Sequence, residues 1–282
     1  MKSMKATLFT LSAFLLMNSP AFAVPPPTGS DEAYITQAGD NGTVTTSQTA
    51  GTIKNKITVN QYKNSDTETA DITQSGYGSH VAKVVQKGQS DKATVEQSGR
   101  NDKADITQER DADQNTATIN QAADSKGETA TITQQGGSLN TSLIYQDGKK
   151  DQATISQTGS NHNATINQYV DSNGEIATIT QTDSGNTATI SQDGVADQAT
   201  ITQNGAGNTA NIYQYVGAAS NQATITQAAN NTANIYQHGS NHGATIDQSG
   251  DNNTGTIDQT GSYKVASLPQ SGSGNTATLT QH

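Results

Sequence analysis

One five-residue unit governs what this chain can fold into. The pattern Ala-x-Ile-x-Gln, with Thr, Ser, Asn or Asp most often between, recurs from Gln37 to Gln281 as 22 units spaced 10–13 residues apart. Two residues before the glutamine stands Ile, Val or Leu in 21 of the 22 units, Thr46 being the exception, and four residues before it stands Ala in 18. A spacing of i, i+2, i+4 puts all three side chains on one face of a β-strand and the intervening polar residues on the other. The β-branched Ile and Thr favour that extended backbone. The period of two, the short segments and the Gly, Asn and Thr content exclude helix.

Between units the chain is expected to turn. Gly sits two residues after the glutamine in 13 units, and Asn, Asp or His usually sits six residues before the next one, as at Asn115, Asp151, His162, Asn186, Asn208 and Asn275. Gly and Asn supply the positive-φ conformations that a tight reversal needs. No single strand of this kind can bury its apolar face alone, so copies must stack, Ala over Ala, Ile over Ile and Gln over Gln. The expected fold is all-β: a flat, amyloid-like β-solenoid of about 11 two-strand coils built from the 22 short strands, roughly 50 Å long at about 4.8 Å per coil. The expected stacking ladder includes Gln157, Gln168, Gln181, Gln192, Gln203, Gln214 and Gln227. With them run Ile155, Ile166, Ile179, Ile190, Ile201, Ile212 and Ile225, and the turn residues Asn186 and Asn208. Inward amides are expected to hydrogen-bond to their own copies above and below. That explains how a chain only 30% hydrophobic, with no Trp and with every Phe and Met in its first 22 residues, can fold at all.

A longer duplication overlies the short one. The run Glu68-Thr69-Ala70-Asp71-Ile72-Thr73-Gln74 returns as Glu128-Thr129-Ala130-Thr131-Ile132-Thr133-Gln134 and as Glu175-Ile176-Ala177-Thr178-Ile179-Thr180-Gln181. The first two copies are an odd number of strands apart, so the duplication moves a strand from one solenoid face to the other.

Residues 1–23 read as a secretory signal peptide: Lys2 and Lys5 are followed by an apolar Ala6–Met17 and by the small-x-small site Ala21-Phe22-Ala23. The stretch is too short to span a bilayer, and no other apolar run exists, so no integral membrane segment is expected. Residues 24–30 are a Pro-rich linker, and 31–282 the repeat region. Without residues 1–23 the chain carries 13 basic against 25 acidic side chains, which argues against a nucleic-acid partner bound through its phosphates. There is no Cys, so neither disulfides nor thiolate chemistry. His80, His162 and His242 stand at the repeat's turn position and read as repeat variants, with no zinc-site spacing. Ser, His and Asp are plentiful, but every candidate is a repeat variant and none stands apart as a nucleophile. No enzyme, metal or cofactor is expected.

The motif Gln-x-Gly-x-x-Asn-x-Ala-x-x-x-Gln resembles the repeat of the curlin subunits, the secreted bacterial proteins of curli amyloid fibres. Gln203-Asn204-Gly205-Ala206-Gly207-Asn208-Thr209-Ala210-Asn211-Ile212-Tyr213-Gln214 follows it position by position, and Gln270, Gly272, Asn275, Ala277 and Gln281 follow it again. The resemblance implies an extracellular, cell-surface homopolymer that serves biofilm matrix and adhesion. It also implies nucleation by a minor curlin and export through a dedicated outer-membrane pore. The chain departs from the family in having many more units, and in the short Val24–Ser30 segment where curlins carry a longer Gly- and Asn-rich export segment.

Solenoid ends expose unpaired strand edges, and no capping helix or amphipathic segment is expected at either end, so a second molecule can add as the next coil. Pro269 lacks an N–H. It either blunts the growing edge or sits at a bend. The outward charges Lys83, Glu96, Asp105, Asp247 and Asp258 are expected to solvate the faces or to delay aggregation, and the outward Tyr34, Tyr145, Tyr213 and Tyr236 to pack across strands. The alternative function is a monomeric adhesin or ice-binding solenoid, the latter suggested by Thr131/Thr133, Thr178/Thr180, Thr200/Thr202, Thr224/Thr226 and Thr278/Thr280.

Overall fold

A computed structural model describes residues 31–282 apart from 39–40, 50–53, 63–66, 77, 110–111, 124 and 170–171. The expected signal peptide and Pro-rich linker lie outside the described residues. The chain alternates between two 11-stranded parallel sheets laid face to face. The first sheet begins with Glu32–Gln37, Lys56–Gln61 and Val81–Gln86 and ends with Val265–Gln270. The second begins with Thr43–Gln48, Thr69–Gln74 and Lys92–Gln97 and ends with Thr276–Gln281. One strand from each sheet makes a coil, so the described residues form a stack of 11 coils. The solenoid expected from the repeat is the fold observed. Two further two-residue strands, Ala112–Asp113 and Gly137–Ser138, pair with each other where the connecting arcs stack.

Like lies over like. Ala177, Ile179 and Gln181 pair with Ala199, Ile201 and Gln203 in the first sheet. Ala188, Ile190 and Gln192 pair with Ala210, Ile212 and Gln214 in the second. The inward Ala and Ile form one continuous core, in which every inward Ile from Ile57 to Ile257 is fully buried, while the outward Ile176 is exposed. Burial of each such side chain contributes roughly 1.5–3 kcal/mol. The core is two residues wide per strand, so this gain recurs coil by coil.

The long duplication does exchange faces. Glu68 precedes Thr69–Gln74 of the second sheet, whereas Glu128 and Glu175 precede Thr129–Gln135 and Ile176–Ser184 of the first. Both edges of the stack place the residue six before the glutamine in the same inward position, so a unit fits on either side.

The reversal itself differs from expectation. Positive φ falls one residue earlier than Asn115, Asp151 or His162: at Gln114 (57°), Lys150 (60°) and Asn161 (59°), and in other arcs at Gly185 (66°) and Gly207 (71°). The chain completes its bend there, and the next residue already points inward. Glycine is required for a second reason at Gly159, where φ is 117° and a Cβ would overlap the Asp183 carbonyl of the next coil. Gly159→Ala is expected to destabilise the stack by about 1–3 kcal/mol, read as a lowered urea midpoint. A loss below about 0.5 kcal/mol would contradict this packing.

Candidate assembly site: inward ladders and open end coils

The period-two pattern aims every terminal glutamine into the gap between the sheets, where its amide needs partners. Each finds them in the neighbouring coils. Nε2 of Gln157 donates to Oε1 of Gln181 (2.9 Å), Gln181 to Gln203 (2.8 Å) and Gln203 to Gln227 (3.0 Å). In the second sheet Gln168 donates to Gln192 (3.0 Å) and Gln192 to Gln214 (2.9 Å). The remaining Nε2 hydrogen crosses to a backbone carbonyl of the opposite sheet, as from Gln203 to Thr187 O (3.0 Å). The two columns run unbroken from Gln37 to Gln270 and from Gln48 to Gln281. Every rung has the same polarity, with Nε2 facing the following coil. Ile155, Ile166, Ile179, Ile190, Ile201, Ile212 and Ile225 line the columns beside them, all fully buried.

A third inward position lies six residues before each glutamine. Asn186 and Asn208 occupy it, but they do not form the amide-to-amide ladder expected of them. Asn186 Oδ1 accepts the backbone N–H of Asn208 (2.8 Å), and Asn208 Oδ1 accepts that of Asn231 (2.9 Å). The side chain is one methylene shorter than Gln and sits where the arc closes, so it reaches the backbone of its copy in the next coil rather than that copy's side chain. Histidine substitutes for Asn here by geometry. Nδ1 of His162 accepts Asn186 N–H (3.3 Å) and Nε2 lies 3.3 Å from Thr158 O. His242 repeats this with Lys264 N–H (3.2 Å) and His238 O (3.3 Å). Burial lowers the pKa of His162 and of His80, for which Asp102 opposes the shift in part. In each ring Nδ1 accepts a backbone N–H, from Asn186 at His162 and from Asp102 at His80, which only the neutral form allows.

The same position holds carboxylates, the aspartates among them of the type that the sequence assigns to turns. Asp91, Glu128, Asp151, Glu175 and Asp197 are all buried. Burial pushes Glu128 and Glu175 up to about 9, Asp91 to about 7 and Asp197 to about 6, and it raises Asp151. The signal available in the sequence was the two-residue parity shared with the glutamine.

Among the described residues the ladders stop at the two end coils. In the last coil Leu268, Ala277, Leu279 and Gln281 are half-buried where their interior counterparts are buried, and in the first coil Ala33, Ile35 and Gln37 are likewise half-buried. Four segments of the chain, residues 137–169, 184–215, 228–261 and 250–282, match the family model of the curlin associated repeat. The chain carries curlin associated repeats. No curated protein matches it. The matched segments of this curlin-repeat chain fall on the coils whose outer faces carry mostly Thr, Ser, Asn and Tyr; the earlier coils of the same solenoid carry more charge.

The outer faces hold the expected polar residues. Lys83 and Asp105 stack in successive coils as a 3.5 Å ion pair, and Lys87 and Glu109 as one of 2.7 Å. Glu96 and Asp247 are exposed and Asp258 is half-buried. Tyr213 and Tyr236 stack ring on ring at 5.4 Å, and Tyr145 lies 6.3 Å from Tyr169; Tyr34 is half-buried on the first strand. The Thr rows are longer than the sequence suggested: register places Thr131/Thr133, Thr154/Ser156, Thr178/Thr180, Thr200/Thr202 and Thr224/Thr226 on five successive coils of the first sheet. Among the described residues no helix is long and apolar enough to cross a membrane.

Proposed function

We propose that this chain is a secreted, non-enzymatic structural subunit that polymerises end to end into a curli-like extracellular amyloid, in the service of biofilm matrix and adhesion. The observation that carries the reading is the complementarity of the two end coils. Gln270 and Gln281 turn Nε2 toward the open side of the last coil, and Gln37 and Gln48 turn Oε1 toward the open side of the first, following the polarity of every rung between them. Seating the last coil on the first coil of the next copy continues both columns. Leu268 then lies over the next copy's Ile35, and Lys264, at the inward arc position, over the next copy's Asp31. The charges are opposite. Folding of one molecule and growth of the fibre use the same interaction. A minor curlin nucleator and a curli-type pore are the partners implied.

Pro269 bears on this joint. It lies in the straight, in-register strand Val265–Gln270, paired to Asp247, and not at a bend. Backbone N–H groups at odd positions before the glutamine face the following coil, as Val81 N does toward Asp102 O (2.9 Å). The N–H that Pro269 lacks therefore belongs to the open edge, where proline costs the monomer nothing. Pro269→Thr restores one donor to the joint, contributing about 0.5–1.5 kcal/mol. The monomer concentration left at plateau should fall several-fold; an unchanged plateau would remove the edge role.

The direct experiment is incubation of the chain lacking residues 1–23 at neutral pH, followed by electron microscopy and seeding. Fibres whose fragments abolish the lag support the reading, and a chain that stays monomeric for days at high concentration overturns it. The five-coil Thr rows favour one second reading, ordering of water as an ice-binding face. Thermal hysteresis of the dilute monomer without fibres would support that instead.

A further inference from the structure

Five successive coils place a carboxylate at one inward edge position: Asp102, Glu128, Asp151, Glu175 and Asp197, each at most 1% exposed. At about 4.8 Å per coil, each interior member has a like group just above and just below it. No lysine or arginine forms a salt bridge with any of the five among the described residues. Lys126, Lys149 and Lys150 ride on the same arcs but are exposed. His80 ends the column, with Nδ1 3.5 Å from Asp102 Oδ2, yet that nitrogen lies 3.4 Å from Asp102 N–H as its acceptor, and the ring is neutral. The remaining charged groups facing the two glutamates, Asp147 toward Glu128 and Asp193 toward Glu175, are also acidic.

The aspartates and glutamates differ in their partners. Asp102 accepts from Gly127 N (3.0 Å), Glu128 N (3.3 Å) and Ser125 Oγ (2.7 Å), and Asp151 accepts from Glu175 N (2.9 Å) and from Ser172 Oγ. Among the described residues Glu128 accepts only from Gly148 N (3.0 Å) and Glu175 only from Gly194 N (2.8 Å). Oε2 of each has no partner there, and each glutamate lies between two aspartates. Asp197 accepts from Asn221 N (2.7 Å) at the foot of the column. An uncompensated charge is least tolerable at the two glutamates.

We propose that this column makes closure of the central coils a proton-uptake step: Glu128 and Glu175 take up protons as the stack forms, and rising pH above neutrality opens it. Both groups have pKa values near 9 in the fold, above the ordinary carboxylate value they have in the unfolded chain. The folded state therefore binds more protons across that interval. Stability is greatest at the acid end and declines as pH rises toward 9. Asp91, near 7 on the opposite edge, adds to the same trend. His80 and His162, with lowered values, work the other way by charging in the unfolded chain below about pH 6.5. The carboxylate effect is thus read between pH 7 and 9.

The test is urea unfolding followed by β-sheet circular dichroism at pH 7 and pH 8, in chelator-containing buffer, below the concentration at which fibres appear. The folding equilibrium constant should fall ten- to hundredfold per pH unit. The double variant Glu128→Gln, Glu175→Gln keeps the acceptors for Gly148 and Gly194 and removes the titration. It should change less than about threefold over the same unit and exceed the parent in stability at pH 8. Equal pH dependence in parent and variant overturns the proposal. Should the variant fail to fold, proton uptake by the parent on refolding in unbuffered solution at pH 7.5 decides: about two protons per chain is expected, and no net uptake overturns it. The readout is coil closure, so it stands or falls separately from fibre growth.

Discussion

Gln203→Glu is expected to destabilise the stack by about 3–5 kcal/mol at neutral pH, more than most single substitutions. The residue is fully buried. Its Oε1 accepts from Gln181 Nε2, a bond that a carboxylate keeps. Its Nε2 donates to Gln227 Oε1 (3.0 Å) and Thr187 O (3.0 Å), and a carboxylate oxygen in that place faces two acceptors with no donor between them. The new group is either a buried, unpaired charge or holds a proton that the unfolded chain does not hold at pH 7, and at least one bond is broken in addition. The loss should shrink on acidification, because a protonated carboxyl regains one donor. Urea midpoints at pH 7 and pH 4 measure both effects. Thr202→Glu, one residue earlier on the outward face, should change stability by no more than about 0.5 kcal/mol. Equal losses at the two positions would mean that the glutamines do not form the interior column.

Ile201→Ala gives the second large effect. Ile201 is fully buried and stacks between Ile179 and Ile225. Truncation removes three methyl or methylene groups from a core only two residues wide, which neighbouring coils held in register by the ladders cannot collapse to fill. The expected loss is about 2–4 kcal/mol, with Thr202→Ala near zero as the outward control. Because each coil contacts mainly its neighbours, the cavity should lower protection from hydrogen exchange most in the coils on either side.

Much of this architecture was legible because the side-chain period is two and the arcs are short. Ala, Ile and Gln at i, i+2, i+4 leave no choice of face, and 22 units at near-equal spacing leave little choice of fold. Gln157 to Gln227 and Ile155 to Ile225 in the repeat units are buried, and a one-residue slip of register would expose every one of them. The arcs were less legible. Asn115, Asp151 and His162 look like turn residues by type, and nothing in their chemistry says that the bend is complete one residue before them. Extending the parity from Gln203 back to Ala199 and on to Asp197 would have placed that carboxylate inside. Glu128 and Glu175 stand out in the sequence only as part of the long duplication, and the structure alone reveals that among the described residues no lysine or arginine pairs with them. The exchange of faces between the Glu68 and Glu128 copies is likewise invisible until the two edges are seen to be equivalent.

The central claim is that one uninterrupted series of like-over-like layers continues from molecule to molecule. Helical reconstruction of assembled filaments by electron cryomicroscopy tests it most directly. The account predicts a subunit rise of about 53 Å, 11 coils at about 4.8 Å each, with both glutamine columns continuous across the joint between Gln270 and the next copy's Gln37. Filaments whose rise departs from a whole number of coil spacings, or whose subunits meet side by side with the end coils open to solvent, would contradict it.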